Sequence, residues 1–412
     1  MVPVTPAAVP LRRNLRFQLL WVGSTIGFLG IEAADIGYPL TILALTGSPA
    51  RAGLFGFVQS LAGVLLAVPA GQVVDRHDRR RVLLCAEGGR ALAAASVAVA
   101  LAAHHLTLTH LLVVAAILGA GSAFGGPARM LVVRAVVPSE QLTAALTQEE
   151  VREGTAVLVG PPLGGLLYAV RQALPFLFSA VTFTVSWLCV LVVRIPPRTG
   201  AAAQDEAGAA APGGRFEGLR ILLRDPVLRT STLLIAVLNA VGVPLTLVAV
   251  VLLRDQGASP RAIGLAMAGL AIGTLAGTPL VRPLHRALRP GVLLIAFFLV
   301  ETPILALLGV PLGPWWVGGL LILATVAMPA LRVLIDVLIF RQVPDEVRGR
   351  VISAAILLFG IGSPVGVGVA GLLLEHLGPQ GATLALAAVL ALGGGYALSR
   401  RTIRAAQWPA ES

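Results

Sequence analysis

Residues 71–81 read Gly-Gln-Val-Val-Asp-Arg-His-Asp-Arg-Arg-Arg, and this charged run lies between two long apolar stretches. Its side chains cannot sit in hydrocarbon, and the flanking stretches can hardly sit anywhere else. A tight, strongly basic turn between two membrane helices belongs on the cytoplasmic face. The chain of 412 residues is 57% hydrophobic and only 12% charged. A soluble protein this apolar has too little polar surface to cover itself, so the chain belongs in a bilayer.

Twelve segments are each long enough to cross about 30 Å of hydrocarbon as a helix. They run over 17–45, 52–74, 82–103, 108–136, 140–170, 174–194, 229–253, 262–281, 291–311, 315–341, 347–374 and 380–399. An even number puts both termini on one side. The loops and tails of that side hold 23 arginines and the opposite loops hold 4, and no lysine occurs. The positive-inside rule therefore predicts cytoplasmic termini. The first apolar run is too long for a signal peptide and lacks a cleavage site.

The one long connection, 195–228, separates an N-terminal six-helix bundle over 1–194 from a C-terminal one over 229–412. Its first half, 196–214, is rich in Ala, Gly and Pro and reads as disordered. Its second half places Phe216, Leu219, Leu222 and Leu223 at helical spacing among arginines, which predicts an amphipathic helix on the inner leaflet. The bundles echo each other. Val137-Pro138-Ser139-Glu140 precedes segment 5 and Val343-Pro344-Asp345-Glu346 precedes segment 11, and a Gly-Pro stretch follows each. Such pairing marks a duplicated transporter fold.

Several classes are excluded. The net charge of +11 is spread over membrane-flanking loops, so it makes no nucleic-acid surface. Cys85 and Cys189 fall in apolar segments without metal spacing and read as small core residues. His104, His105 and His110 share one loop, which reads as solvated, because a metal needs converging ligands and a second shell. No phosphate loop, nucleophile elbow or zinc-protease motif occurs. No cofactor, metal or catalytic residue is expected, and the chain does not read as an enzyme.

Charges at membrane depth carry the functional signal, because each costs about 2.5–3.5 kcal/mol at a helix centre. Glu32 and Asp35 sit mid-way along segment 1, three residues apart on one face, and are the candidates for proton coupling. Segment 5 carries Glu149, Glu150, Arg152 and Glu153, a density too costly to face lipid. They are expected to line an inner cavity or to bond Arg129 or Arg134. Arg332 and Asp336 are four apart on segment 10 and can pair.

The pattern Gly71-x-x-x-Asp75-Arg76-x-x-Arg79-Arg80 resembles the loop between helices 2 and 3 of the major facilitator superfamily. Asn14-Leu15-Arg16-Phe17, Leu45-Thr46-Gly47-Ser48, Pro127-Ala128-Arg129 and the run Gln342 to Val351 resemble its branch of macrolide-efflux and enterobactin-exporter-like proteins. The resemblance implies an all-α membrane fold of two pseudo-symmetric six-helix bundles. Segments 1, 4, 7 and 10 would line a central cavity holding Arg129, Arg332, Asp336 and Asn239. Gly71 would let segment 2 approach a neighbour, and Asp75 would face the start of segment 11 near Arg348 and Arg350. Arg76 and Arg79 would hold one conformation. The family has glycine where this chain has Asp78, which leaves the turn geometry open.

Gly154-x5-Gly160-Pro161-Pro162-Leu163-Gly164-Gly165 resembles the family's antiporter motif, placed between the bundles; plain helix packing is the alternative. Arg90 and Glu301 fall on helices that the resemblance makes peripheral, with no assigned role. The expected function is a proton-coupled exporter of amphiphilic small molecules such as drugs, antibiotics or siderophores. It would act as a monomer in the bacterial inner membrane. The alternatives are a proton-coupled uptake symporter of a small polar or anionic solute, and a non-transporting membrane sensor or enzyme.

Overall fold

The computed structural model describes residues 10–193, 217–224, 226–334 and 345–404. The first bundle consists of α1 (Leu15–Thr46), α2 (Pro49–Arg76), α3 (Arg79–Ala102), α4 (Leu108–Val136), α5 (Leu142–Val170) and α6 (Leu174–Val192). Short polar residues cut these helices. Asn14 accepts from the Phe17 N–H at the start of α1, and Ser48 and Thr107 cap α2 and α4 in the same way. Gly47 ends α1 in the left-handed region at φ 67°, where a side chain would be strained. Between α2 and α3 lie only His77 and Asp78. Asp78 is the N-cap of α3, accepting from the Arg80 N–H at 2.9 Å with φ −61°. The turn thus needs no glycine at this position.

The second bundle is less regular. The linker helix α7 (Glu217–Arg224) precedes α8 (Pro226–Gly242) and α9 (Leu245–Asp255). Segment 7, expected as one helix, is thus divided before Leu245, where Pro244 has no N–H to continue the ladder. α10 (Pro260–Gly277) passes through a 3-10 turn into α11 (Val281–Ala287), followed by α12 (Pro290–Leu308) and α13 (Pro314–Thr325). α14 (Asp345–Ser399) is broken at Gly378, whose φ is 67°. The short α15 (Arg401–Arg404) follows.

Among the described residues all regular structure is helical. Ten of these helical runs are long and apolar enough to cross a membrane, the last being 43 residues long and including the Gly378 break. α5 is not among the ten, because its charged first half and its glycines and prolines dilute its apolar character.

α1 packs on α5 and α6, α2 on α4, and α3 on α4 and α6. Across the bundles α2 packs on α14 and α5 on α10. Small residues allow backbone contact there. A Cβ on Gly53 would lie 2.7 Å from the Gly371 Cα, and one on Gly165 would lie 3.1 Å from the Gly264 Cα. Both contacts lie at the end opposite the arginine-rich turn. At that end too, the Ser48 hydroxyl donates to Glu375 at 2.7 Å. Towards the arginine-rich end α5 and α10 ease apart: a Cβ on Gly154 would find only Leu275 Cδ2, at 3.9 Å.

The linker helix α7 does not simply float on a membrane surface. Its Leu222 is 1% exposed and packs with Leu228 against Leu358 and Phe359 of α14. Phe216 and the 196–214 stretch lie outside the described residues.

Candidate functional site

The first bundle holds a buried charged network built from α1, α3, α4 and α5. Glu87 on α3 is fully buried and takes an ion pair from Arg129 on α4. Arg90, one turn along α3, places Nη1 3.8 Å from the same Glu87 oxygen and donates Nη2 to Ser122 Oγ at 2.9 Å. Its guanidinium also lies 5.6 Å from the centre of the Phe183 ring. Arg90 therefore belongs to the charged centre and not to the periphery. Helix numbering alone misplaced it, because the face of α3 that carries it turns towards α4 and α6. Arg129 is not a free cavity cation, since Glu87 neutralises it.

On α5, Arg152 is buried and binds Glu149 and, at 3.1 Å, Glu153. Its guanidinium stacks 4.9 Å from the Phe28 ring of α1. The ion-pair partner of Glu149 and Glu153 is thus Arg152 on their own helix, while Arg129 pairs with Glu87. Glu149, Glu150, Arg152 and Glu153 line a cavity of about 570 Å³ together with Arg129 and Met130. This inner cavity lies in the arginine-rich half of the bundle.

Glu32 and Asp35 share one face of α1 and are both half-buried. Among the described residues neither has a hydrogen bond or an ion pair within 4 Å. Asp35 lines a second cavity of about 410 Å³, between the bundles, with Tyr38, Phe55, Gln59, Pro244 and Val367. The charged centre, from fully buried Glu87 to half-exposed Glu153, thus sets five carboxylates, Glu32, Asp35, Glu87, Glu149 and Glu153, against three guanidinium groups, Arg90, Arg129 and Arg152. The guanidinium groups are taken up by Glu87, Glu149 and Glu153, and the two α1 acids are left over.

The glycines of α5 position this pair. A Cβ on Gly160 would overlap the Glu32 Cβ, and one on Gly164 would overlap the Ala33 carbonyl oxygen. On the other face Gly165 and Pro161 meet Gly264 of α10. One helix thus touches both the α1 acids and the opposite bundle. Gly154 stands clear of close contact.

In the 71–81 turn, Arg80 donates Nε to the Val190 carbonyl at 3.2 Å and Nη2 to the Leu191 carbonyl, tying α3 to the end of α6. Arg76 and Asp75 are both exposed. The side chains of Arg348 and Arg350 lie outside the described residues, and with them the expected contact of Asp75. Nothing among the described residues comes within 4 Å of a Cβ on Gly71, so these residues do not explain that glycine.

Asn239 donates its amide to the Phe359 carbonyl at 3.1 Å and ties α8 to α14. Arg332 is exposed, and Asp336 lies outside the described residues. Cys85 is exposed rather than in a core, because it sits on the face of α3 turned away from the bundle. Among the described residues no group of histidine, cysteine or acidic side chains is arranged to hold a metal. The His110 ring instead lies 2.9 Å from Ser96 Oγ.

The residue that sequence reasoning passed over is Glu87. Its signal was present: Glu87 and Arg90 are three apart in an apolar helix, a spacing that pairs charges on one face.

The sequence model of the Major Facilitator Superfamily matches residues 20–253 and 232–410. The multidrug efflux pump Tap of Mycolicibacterium fortuitum is 26% identical over 393 residues, covering 93% of this chain and 95% of that one. The macrolide efflux protein A of Streptococcus pyogenes is 26% identical over 189 residues, covering 44% of this chain and 45% of that one. Among solved structures, a point mutant of the nucleoside transporter NupG superposes with a TM-score of 0.79 at 13% identity, covering 93% of this chain and 99% of that one. A bacterial homologue of Spinster superposes with a TM-score of 0.74 at 16% identity, covering 98% of this chain and 100% of that one. With its helical spans, its two packed bundles and both halves of its sequence matched, the chain is a multi-pass membrane protein that belongs to the Major Facilitator Superfamily.

Proposed function

We propose that this transporter is a proton-coupled exporter of amphiphilic small molecules. It crosses the bacterial inner membrane twelve times with both termini in the cytoplasm, works as a monomer, and alternates access around the cavity between its bundles. The observation that carries the reading is the Glu32–Asp35 couple: two carboxylates at membrane depth that lack the ion pair that Glu87, Glu149 and Glu153 each have. An unpaired intramembrane acid is a functional candidate, and a carboxyl that loads and releases a proton needs no permanent cation beside it. The mixed lining of the central cavity, aromatic and aliphatic with polar points that include Tyr38, Gln59, Ser60, Ser122 and Thr246 beside Asp35, suits amphiphilic substrates. The efflux names of the relatives favour the outward direction. Each charge crossing supplies about 2.3 kcal/mol per 100 mV.

An uptake symporter for an anion rests on Arg129 and Arg332 as cavity cations, and the Glu87 pair takes up the first of them. Energised everted vesicles test the exporter reading. Macrolides, cationic dyes and siderophores are added while a pH-sensitive dye is followed, with Asp35→Asn and Glu32→Gln alongside. A substrate-dependent collapse of the pH gradient, lost in one variant, is the expected result. Substrate movement without any change in the gradient would overturn the reading.

A further inference from the structure

Between the two large cavities lies a third, of about 20 Å³, which has room for one water molecule. Its lining connects the other two. Asp35, Tyr38 and Gln59 line both this chamber and the central cavity, while Arg90 and Ile31 line both the chamber and the inner cavity. Ser122 lines all three. The Arg90–Ser122 hydrogen bond at 2.9 Å therefore stands between the inner cavity and Asp35.

The site is built around this arginine. A Cβ on Gly121 would lie 2.8 Å from Arg90 Cγ, and one on Gly125 would lie 3.6 Å from Nη1. Two glycines of α4 thus make the trough in which the side chain rests. Two polar atoms are left over beside it. The Tyr38 hydroxyl is buried and lines the chamber, and among the described residues it has no hydrogen-bond partner. Glu87 Oε2 is likewise buried without a partner among the described residues. Leaving a buried hydroxyl without a partner is unfavourable, and a water in the chamber satisfies it.

We infer that Arg90 is a positioning residue that partitions the proton path: with Ser122 it closes the inner cavity off from a single buried water held between Asp35 and Tyr38. The inference rests on the proton-coupled reading and names the device that keeps such a carrier from leaking. From the central cavity a hydronium ion gives one proton to an Asp35 carboxylate oxygen and departs as water. For release, Arg90 turns from Ser122 towards the free Glu87 oxygen. Asp35 then returns the proton to the chamber water, which passes one proton to water of the inner cavity. Only O–H bonds form and break, and one proton crosses per turn.

The test uses purified full-length protein in liposomes with an internal pH dye, an imposed proton gradient and no substrate. Wild-type protein is expected to hold the gradient. Arg90→Gln is expected to dissipate it on the order of tenfold faster, a barrier lower by about 1.4 kcal/mol. Arg90→Lys is expected to restore most of the tightness. Arg90→Gln/Asp35→Asn is expected to abolish the leak, because the route runs through Asp35. Should the lone Gln variant fold poorly, Ser122→Ala removes the acceptor of the Arg90 hydrogen bond while Glu87 keeps both arginines, and it is expected to leak in the same way. A tight gradient in folded Arg90→Gln and in Ser122→Ala would overturn the partition. A leak that survives Asp35→Asn would overturn the route. Substrate-driven proton movement by wild-type protein is read in the same vesicles, and its absence would overturn the coupling reading independently of the leak.

Discussion

Glu87 of α3 and Arg129 of α4, 42 positions apart in the chain, meet in an ion pair whose carboxylate has no solvent exposure. Removing one member of a buried pair leaves the other charge uncompensated, which costs about 3–5 kcal/mol. Glu87→Ala is therefore expected to lower stability strongly, since it leaves both Arg129 and Arg90 uncompensated in an apolar surrounding. Glu87→Gln/Arg129→Gln is expected to recover much of the loss. Thermal unfolding in detergent of wild type, Glu87→Gln, Arg129→Gln and the double variant gives the coupling.

Gly160 and Gly154 lie on the same helix and separate two roles for its glycines. A methyl group at Gly160 overlaps Glu32, and at Gly154 it meets only Leu275 at ordinary contact distance. Gly160→Ala is expected to push α5 off α1, at about 1–3 kcal/mol for an overpacked site, and to abolish coupled transport. Gly154→Ala is expected to keep both expression and transport. Drug-resistance growth and surface expression of the two variants, compared side by side, check this.

Glu375 lies in the connection between segments 11 and 12 and is exposed. Hydrogen bonds from the Ser48 hydroxyl at 2.7 Å and from the Ala50 N–H at 3.1 Å hold its carboxyl below the usual carboxylate range, because both donors favour the charged form. The sign follows from linkage. A carboxyl depressed in one conformation stabilises it above the free-state value, about 4.3 for glutamate, and loses that contribution as pH falls through the depressed value. The α2–α14 ends are thus expected to separate more readily in strong acid. Spin labels placed at these ends should report longer distances there, and Glu375→Gln should remove the pH dependence.

Asn239 and Gln59 offer a contrast between a strut and a cavity wall. Asn239 holds the Phe359 carbonyl at 3.1 Å, and its loss should cost about 0.5–1.5 kcal/mol without changing which compounds are carried. Gln59 lines the central cavity, and Gln59→Ala is expected to change the substrate profile at near-normal stability. Resistance profiles across a drug panel, set beside melting temperatures, distinguish the two.

Much of the fold was legible residue by residue. The charged run between two apolar stretches marked the α2–α3 turn, whereas the capping roles of Asn14, Ser48 and Thr107 emerged from the structure. Glu32 and Asp35 were legible as acids at depth, and the α5 glycines as a packing face. The division of segment 7 at Pro244 was less so, because proline is tolerated in membrane helices when neighbours satisfy the freed carbonyl. Arg90 was misplaced and Glu87 overlooked because a charge reads as functional or structural only once its partner is known.

Hydropathy and charge along the chain were enough to mark a multi-pass helical membrane protein, ten of whose helical runs are long and apolar enough to cross a membrane, and to point to the acids within them. These are local properties: each helix satisfies its own backbone hydrogen bonds, so both signals act over one segment at a time. That Arg129 serves Glu87, that Arg90 stands between two cavities, and that Asp35 has no ion pair among the described residues emerged only from the packed bundles. Those outcomes depend on how far each helix is rotated about its axis. In a bilayer, close packing of small residues sets that rotation, and here the contacts of Gly121 with Arg90 and Gly160 with Glu32 set it across helices far apart in the chain.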